Sequence, residues 1–419
     1  MQKSVLENGI RVITERIPAA HSATIGFWVE NGSRHEPVAQ NGISHFIEHM
    51  LFKGTRRRTA HEIAKEVDSV GGVLNGFTSR EFSCYYAKVL ARKLPMAVDL
   101  LSDIVLNSVF DHEEIEKERR VILQEIHMQE DTPDDLIHDL FSQRFWYDHP
   151  LGHSVLGKQE SVGEFSRDTL LGFLTEQYCG KNILICAAGN LEHEQLTATI
   201  NGAFRRVVPG RKGSTIPFVA FRRGLSIEDK DLEQAHLCLG TRALPQDHGR
   251  RFQSYLLNTI LGGSMSSRLF QKIREEQGLA YSVYSYLNCH SDTGALVVYA
   301  GTSPGEALGV IRTMLGELHR LRSEPVTVEE LHSAKEQLKG NLLLSMESTD
   351  NRMTRLAKNE IYLGRQGSLK EVLSGIQKVT RESILELAQE ILRDEYLNLQ
   401  VIGNAAKADL KSVELTLDS

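Results

Sequence analysis

The chain has 419 residues and a formal net charge of −7; 41% of its residues are hydrophobic and 25% are charged. At roughly 100 to 200 residues per domain, this length predicts at least two hydrophobic cores. The acidic balance argues against nucleic acid as the main partner, because phosphate binding requires a basic surface.

The five cysteines are scattered, and no two of them are spaced as Cys-x-x-Cys. They therefore indicate neither a disulfide framework nor a thiolate zinc site. Met1 to Ile10 shows no charged segment followed by an apolar one, and no apolar run approaches the roughly 18 residues of a membrane span. We expect a cytoplasmic protein with no signal or transit peptide and no membrane insertion.

The first predicted elements are strands. Leu6 to Glu15 is typical of a hairpin arm with Asn8-Gly9 as its turn, and Ala23 to Glu30 follows as a second apolar strand. A helix then begins near Gly42 and ends at Gly54, since glycine commonly follows the last turn of a helix.

That helix carries His-Phe-Ile-Glu-His, and its His45, Glu48 and His49 fall within about 80° of one another around the axis. Two neutral imidazoles one turn apart can bind a divalent ion, while a carboxylate beside them can reach a water instead of the metal. This is the inverted zinc motif HxxEH. The five residues alone are equally compatible with a helix that carries two incidental histidines, so a third ligand has to decide.

The following elements are predicted from apolar periodicity and turn residues: helix Thr59 to Val70, strands Val73 to Phe77 and Phe82 to Val89, helix Lys93 to Val109, and helix Asp111 to Gln129. In the last helix, Glu118 and Glu125 are seven residues apart and share one face, which Val121 and Ile122 flank. We expect a carboxylate at this position to have a binding partner, because an unpaired buried charge is costly. For Glu118 the alternative is an ordinary solvated acid.

The second half repeats this order of elements after a predicted linker at residues 211–224. The repeated elements are strand Ala235 to Arg242, helices Arg251 to Leu261 and Ser267 to Gln277, strands Ala280 to Tyr286 and Gly294 to Ala300, and helices Gly305 to Leu321 and Val328 to Leu344. The chain is thus predicted to contain two copies of one unit, residues 1–210 and 225–419. The first helix of the second copy lacks histidines and acids, so we expect no metal there.

The segments Gly42 to His49 and Phe52-Lys53-Gly54-Thr55 resemble those of the pitrilysin or insulinase family of zinc peptidases. The similarity to this family extends over almost the whole chain. The similarity is greatest to the branch of the mitochondrial processing peptidase β-subunit and its bacterial relatives. In this family a glutamate ligand follows the inverted motif, and here 76 residues separate His49 from Glu125. The resemblance implies that His45, His49 and Glu125 bind one zinc ion per chain.

The same resemblance assigns Glu48 as the general base toward a zinc-activated water, and Glu118 as a second carboxylate that orients the site. It also identifies residues 71–81 as an edge strand to which a substrate peptide adds, with Asn75 near the peptide. Gly76 stands where relatives commonly have alanine. From the residues alone, Asn75-Gly76 is also typical of a hairpin turn.

Further substrate contacts are implied at five positions. Phe52 would line a pocket for the residue after the scissile bond, although core packing explains it equally well. Asp135 and Asp139 match acids that face a substrate arginine in processing peptidases. Arg274 and Tyr281 match a family pair that binds substrate from the second domain, the tyrosine donating to the oxyanion.

These observations predict an α/β (α+β) fold of two homologous domains, each with helices packed on a mostly antiparallel sheet. The N-terminal domain would be catalytic, and the C-terminal one would supply Arg274 and Tyr281. The predicted activity is that of a zinc metalloendopeptidase acting on unfolded peptides or short segments. We expect a homodimer, with a heterodimer containing an inactive paralogue as the alternative; a non-catalytic subunit of a larger complex is the competing function.

Overall fold

The computed structural model of the protein describes residues 1–210, 219–404, 410 and 413–417. Of the predicted linker, residues 211–218 lie outside this range. Contacts divide the described chain into two compact units. The first unit comprises residues 1–128, 153–210 and 344–366, and the second comprises 129–152, 219–343, 367–404, 410 and 413–417.

The described residues form two sheets. Their strands are β1 Gln2–Val5, β2 Arg11–Arg16, β3 Ser22–Val29, β4 Val73–Thr78, β5 Ser83–Leu90, β6 Ile183–Gly189, β7 Gly224–Asp229, β8 Ala235–Ala243, β9 Ala280–Cys289, β10 Gly294–Thr302 and β11 Asn398–Gly403. The first sheet has the order β1-β2-β6-β3-β5-β4 and the second β7-β11-β8-β10-β9. In each sheet one pair is parallel, β2 with β6 and β7 with β11, and the other pairs are antiparallel.

The α-helices, in chain order, are α1 Ile43–Leu51, α2 Ala60–Asp68, α3 Leu94–Asn107, α4 His112–Glu130, α5 Pro133–Phe145, α6 Gln159–Glu164, α7 Arg167–Gln177, α8 His193–Phe204, α9 Arg251–Leu261, α10 Ala307–Ser323, α11 Val328–Ser345, α12 Thr349–Lys358, α13 Leu369–Gln377 and α14 Arg381–Ile391. Phe270–Glu276 and Asn359–Leu363 are π-helical. Within the described part of the chain, no helix combines the length and apolar character needed to cross a membrane.

The two sheets share one pairing pattern, so the predicted repeat and the mostly antiparallel α/β fold are confirmed. Starting from the parallel pair, each sheet continues through a central strand, β3 or β8, to an antiparallel pair that ends at an edge. β4 is that edge in the first sheet and β9 in the second. The alternative of a turn at Asn75-Gly76 is wrong, because both residues lie inside β4 and pair with Tyr86 and Tyr85.

Each sheet also carries a helix from the other half of the sequence. α12 packs on β2, β3 and β6, where Met353 and Leu356 join a core with Trp28. Correspondingly, α5 packs on β8 and β11, where Phe141 joins the core with Cys238. The division into residues 1–210 and 225–419 stays a prediction, and it did not include this exchange of helices between the two halves of the sequence.

Candidate metal centre

α1 presents the three polar residues of the HxxEH motif. Its apolar positions, Ile43, Phe46, Ile47, Met50 and Leu51, are buried in the core of the first unit. The opposite side of the helix therefore carries His45, Glu48 and His49. The imidazoles of the two histidines are 12% and 18% exposed, so they are accessible but largely shielded from water.

α4 brings the two predicted glutamates to α1. Ile115, Ile122 and Ile126 are buried and fix the rotation of α4. Glu118 is 4% exposed, whereas the side chain of Glu125 is 38% exposed. The alternative of a solvated acid at Glu118 is therefore wrong, because this carboxylate is buried.

His45, His49 and Glu125 converge on one point. Glu125 Oε2 lies 3.7 Å from His45 Nε2 and 3.5 Å from His49 Nε2, and one ligand atom of each residue lies within 4.8 Å of the others. These separations are long for hydrogen bonds, but they are close to the ~3.3 Å expected between ligands of a tetrahedral zinc ion at 2.0–2.1 Å. Two nitrogens and one carboxylate oxygen form a donor set that suits zinc and leaves a fourth position open.

The electrostatics favour a neutral His45. Burial and the neighbouring His49 lower the pKa of His45 to about 3, so its nitrogen lone pair is available to a cation. Burial also lowers the pKa of His49, but the hydrogen bond to Glu118 and the charges of Glu125 and Glu118 outweigh burial and raise that pKa above its ordinary value. A cation at this point would take the place of the proton on His49.

Glu118 fixes the orientation of His49. His49 Nδ1 donates to Glu118 Oε2 at 2.9 Å, which leaves Nε2 directed at the cluster. Lys53 Nζ donates to the other carboxylate oxygen at 2.6 Å. Burial pushes the pKa of Glu118 upward, but the bonds from His49 and Lys53 hold it below the usual range. Sequence reasoning missed Lys53, which lies just after the end of α1 and four residues after His49.

Glu48 lies beside the cluster and is fixed by the edge strand. Thr78 Oγ1, at the end of β4, donates to Glu48 Oε2 at 2.6 Å. Burial raises the pKa of Glu48, and this hydrogen bond opposes the rise. Thr78 was not identified from the sequence, because the predicted strand ends at Phe77 and no local pattern marks the next residue as a partner of Glu48.

Gly76 allows β4 to lie close to α1. A methyl group at Gly76 would lie 3.1 Å from the ring of Phe52 and 3.2 Å from Glu48 Cγ. An alanine there would require both side chains to move by a few tenths of an ångström. Phe52 is partly buried against the core and next to Tyr85, with ring centroids 6.2 Å apart. Asn75 points to the exposed face of β4.

The remaining predicted residues belong to the second unit. Asp135 and Asp139 lie on α5; Asp135 is exposed, and Asp139 accepts a hydrogen bond from Gln129 at 3.2 Å. Arg274 and Tyr281 lie together, with the guanidinium 4.6 Å from the centroid of the tyrosine ring. Tyr281 is 80% exposed on edge strand β9.

Comparison with known proteins points to a family of peptidases. Residues 11–159 match the family described as insulinase (peptidase family M16), and residues 164–338 match the peptidase M16 inactive domain. A Bacillus subtilis protein named uncharacterized zinc protease YmxG is 40% identical over 396 residues, which cover 94% of this chain and 97% of that protein.

Solved structures share the fold. A protease from Helicobacter pylori superposes with a TM-score of 0.88 at 21% identity, covering 96% of this chain and 98% of that one. A chain of complex III2 from Candida albicans superposes with a TM-score of 0.85 at 21% identity, covering 97% and 96%. At these identities the likeness concerns the fold alone, whereas the family follows from the Bacillus relative and the matched domains. The chain belongs to the insulinase family of peptidases, family M16.

Proposed function

We propose that the protein is a zinc-dependent endopeptidase that hydrolyses peptide bonds in unfolded peptides or short segments. The observation that carries this proposal is the convergence of His45, His49 and Glu125 beside Glu48. The name zinc protease of the Bacillus relative supports the same chemistry. The matched inactive domain, residues 164–338, contains α9, which follows the central strand of the second sheet and has no histidines.

In this proposal His45, His49 and Glu125 hold the metal ion. When bound, zinc supplies Lewis acidity, which lowers the pKa of a water to about 7 and polarises a carbonyl oxygen. Glu118 holds His49 in the tautomer that directs Nε2 at the ion, and Lys53 balances the charge of Glu118.

Glu48 moves the proton. Thr78 occupies Glu48 Oε2, so we assign Oε1 to accept a proton from the attacking water and to return it to the leaving amine. Burial of Glu48 raises its pKa and so strengthens it as a base. No covalent intermediate with the protein is needed.

Edge strand β4 would bind the substrate backbone. A peptide that adds to a sheet edge must expose its own backbone over several residues, so this mode selects unfolded segments and demands little of their sequence. Asn75 and Phe52 are the proposed side-chain contacts of the first unit. Arg274 and Tyr281, with Asp135 and Asp139, are proposed contacts of the second unit, and a homodimer remains the proposed assembly.

The test is Glu48→Gln, assayed with a quenched peptide library with and without chelator. We expect one zinc per chain to be retained and cleavage to fall by about 10² to 10⁴. Glu113→Gln, an exposed acid on α4, is the matched control and should cleave normally. Unchanged cleavage by Glu48→Gln would overturn the mechanism. A wild-type chain that binds zinc but cleaves nothing until a second protein is added would favour the non-catalytic or heterodimeric alternative.

A further inference from the structure

A buried carboxylate lies at the start of the metal-binding helix. Glu36 is 4% exposed, and it precedes α1 by seven residues. Its Oε2 accepts the backbone N–H of Gly42 at 2.7 Å, and its Oε1 accepts the backbone N–H of Ser44 at 2.8 Å. Asn41 Nδ2 also donates to Oε2, at 3.1 Å.

These contacts replace a helix cap. The first N–H groups of a helix have no partner within it, and a Ser, Thr, Asp or Asn side chain usually accepts from one of them. In α1 the capping position is Gly42, which has no side chain and a φ of 96°. Glu36 accepts from this region instead, and its negative charge is placed at the positive end of the helix dipole.

The start of α1 determines where the metal ligands lie. α1 has only nine residues, and His45 is its third. An end turn that frays or rotates moves His45 directly, because the ligand lies within that turn. Glu48 and His49 follow within one further turn, so the whole motif depends on how this end is held.

The loop that carries Glu36 is itself fixed. Ser33 N and Arg34 N donate to the carbonyls of Ser79 and Arg80, at 3.2 and 2.8 Å. Arg34, also buried, forms an ion pair with Glu81 at 2.7 Å. The loop therefore connects the turn after β4, next to Thr78, with the first turn of α1.

We propose that Glu36 is a positioning residue of the metal centre, which holds the first turn of α1 so that His45 and His49 meet Glu125. Its role in peptide hydrolysis rests on the proposed function, whereas its role in zinc binding does not. Nothing in the sequence pattern singles out Glu36, because two of its three donors are backbone N–H groups.

The test compares Glu36→Gln with Glu360→Gln. Glu360 is a matched control, a buried carboxylate of the same unit whose ion-pair partners are Lys3 and Arg11 in β1 and β2. Zinc affinity of the full chain is measured by competition with a chromogenic chelator, together with thermal unfolding of both variants. We expect Glu36→Gln to weaken zinc binding by about tenfold or more and to lower kcat with little change in KM, whereas Glu360→Gln should lose stability only.

Equal zinc affinity in the two variants, at comparable thermal stability, would overturn the proposal. If Glu36→Gln does not fold, Asn41→Ala removes one donor to the carboxylate and should weaken zinc binding by a smaller factor. Unchanged zinc affinity in Asn41→Ala would then count against the proposal. A wild-type chain that cleaves no peptide would refute the proposed function alone, since the chelator competition still decides the role of Glu36.

Discussion

The sheets of the two units share one pairing pattern, but the units differ in the helix that follows the central strand. In the first unit α1 follows β3, and in the second α9 follows β8. Both helices bury a mainly apolar stripe, Ile43 to Leu51 in α1 and Ser254 to Leu261 in α9. Only α1 has histidines and a glutamate on the remaining positions. The comparison shows that the buried stripe specifies the fold, while the polar face is free to gain or lose chemistry.

The units are alike at a second place, where a helix meets the central strand. β3 has Gly26 under Met353 of α12, and β8 has Gly240 under Phe141 of α5. Each glycine leaves space that a side chain of the exchanged helix fills. This packing occurs in the unit with the proposed metal ligands and in the unit without them, so it belongs to the common scaffold.

The strongest challenge to this contrast between the units is a catalytic role for the second unit, which lacks the proposed metal ligands. The resemblance to the family implies that Tyr281 donates to the developing oxyanion, so Tyr281→Phe should lower kcat by about 10²-fold. Zinc content should stay unchanged, because the proposed metal ligands are in the other unit. Steady-state kinetics with a quenched peptide measures the effect, and metal analysis provides the second readout.

Tyr147→Phe is the control for this experiment, because Tyr147 is an exposed tyrosine of the same unit. It should leave kcat unchanged. If Tyr281→Phe behaves like Tyr147→Phe, the second unit contributes no donor, and its proposed role would be limited to the scaffold.

A smaller effect is expected behind the metal ligands of the first unit. Glu118→Gln replaces the charged acceptor of His49 Nδ1 and removes the partner of Lys53. Loss of such an outer contact typically weakens metal binding by about 10 to 100-fold, so we expect zinc affinity to fall within that range. Chelator competition measures it, with Glu113→Gln, an exposed acid of α4, as the control. A Glu118→Gln variant with wild-type affinity would mean that burial alone orients His49.

Sequence reasoning reached the elements and the two histidines of the motif because both leave local patterns, whereas Glu125 was assigned by the resemblance to the family. The helical spacing of His45 and His49 and the apolar positions around Glu125 follow from the periodicity of a helix. The exchange of α5 and α12 was not predictable, since the apolar residues of α5, such as Phe141, show that it is buried but not which sheet it covers. Thr78 and Lys53 were missed for a similar reason, because each acts through a contact between distant segments. Glu36 was missed because it acts mainly on backbone N–H groups, which leave no pattern in the side chains.

Replacing the central-strand glycine with alanine should destabilise the second unit more than the first. A methyl group at Gly240 would lie 2.2 Å from Phe141 Cζ and 2.8 Å from Cε2. The phenyl ring is rigid and nearly fully buried, so it cannot move without displacing α5. Gly240→Ala should therefore lower the free energy of unfolding by about 2–3 kcal/mol, measured by urea denaturation. A change below about 0.5 kcal/mol would show that α5 adjusts freely and that this glycine is not needed.

The smallest effect is expected at Gly26, where the facing side chain is flexible. A methyl group there would lie 2.6 Å from Met353 Sδ and 2.8 Å from Trp28 Nε1, which itself donates to the sulfur at 3.3 Å. Because the end of a methionine can change its rotamer, we expect Gly26→Ala to cost about 1 kcal/mol. The double variant with Met353→Ala tests the cause, since the added methyl group should cost less once the sulfur is gone. If the changes in the free energy of unfolding are additive, Met353 is not what occupies the space above Gly26. The two central strands would then accommodate their exchanged helices in different ways.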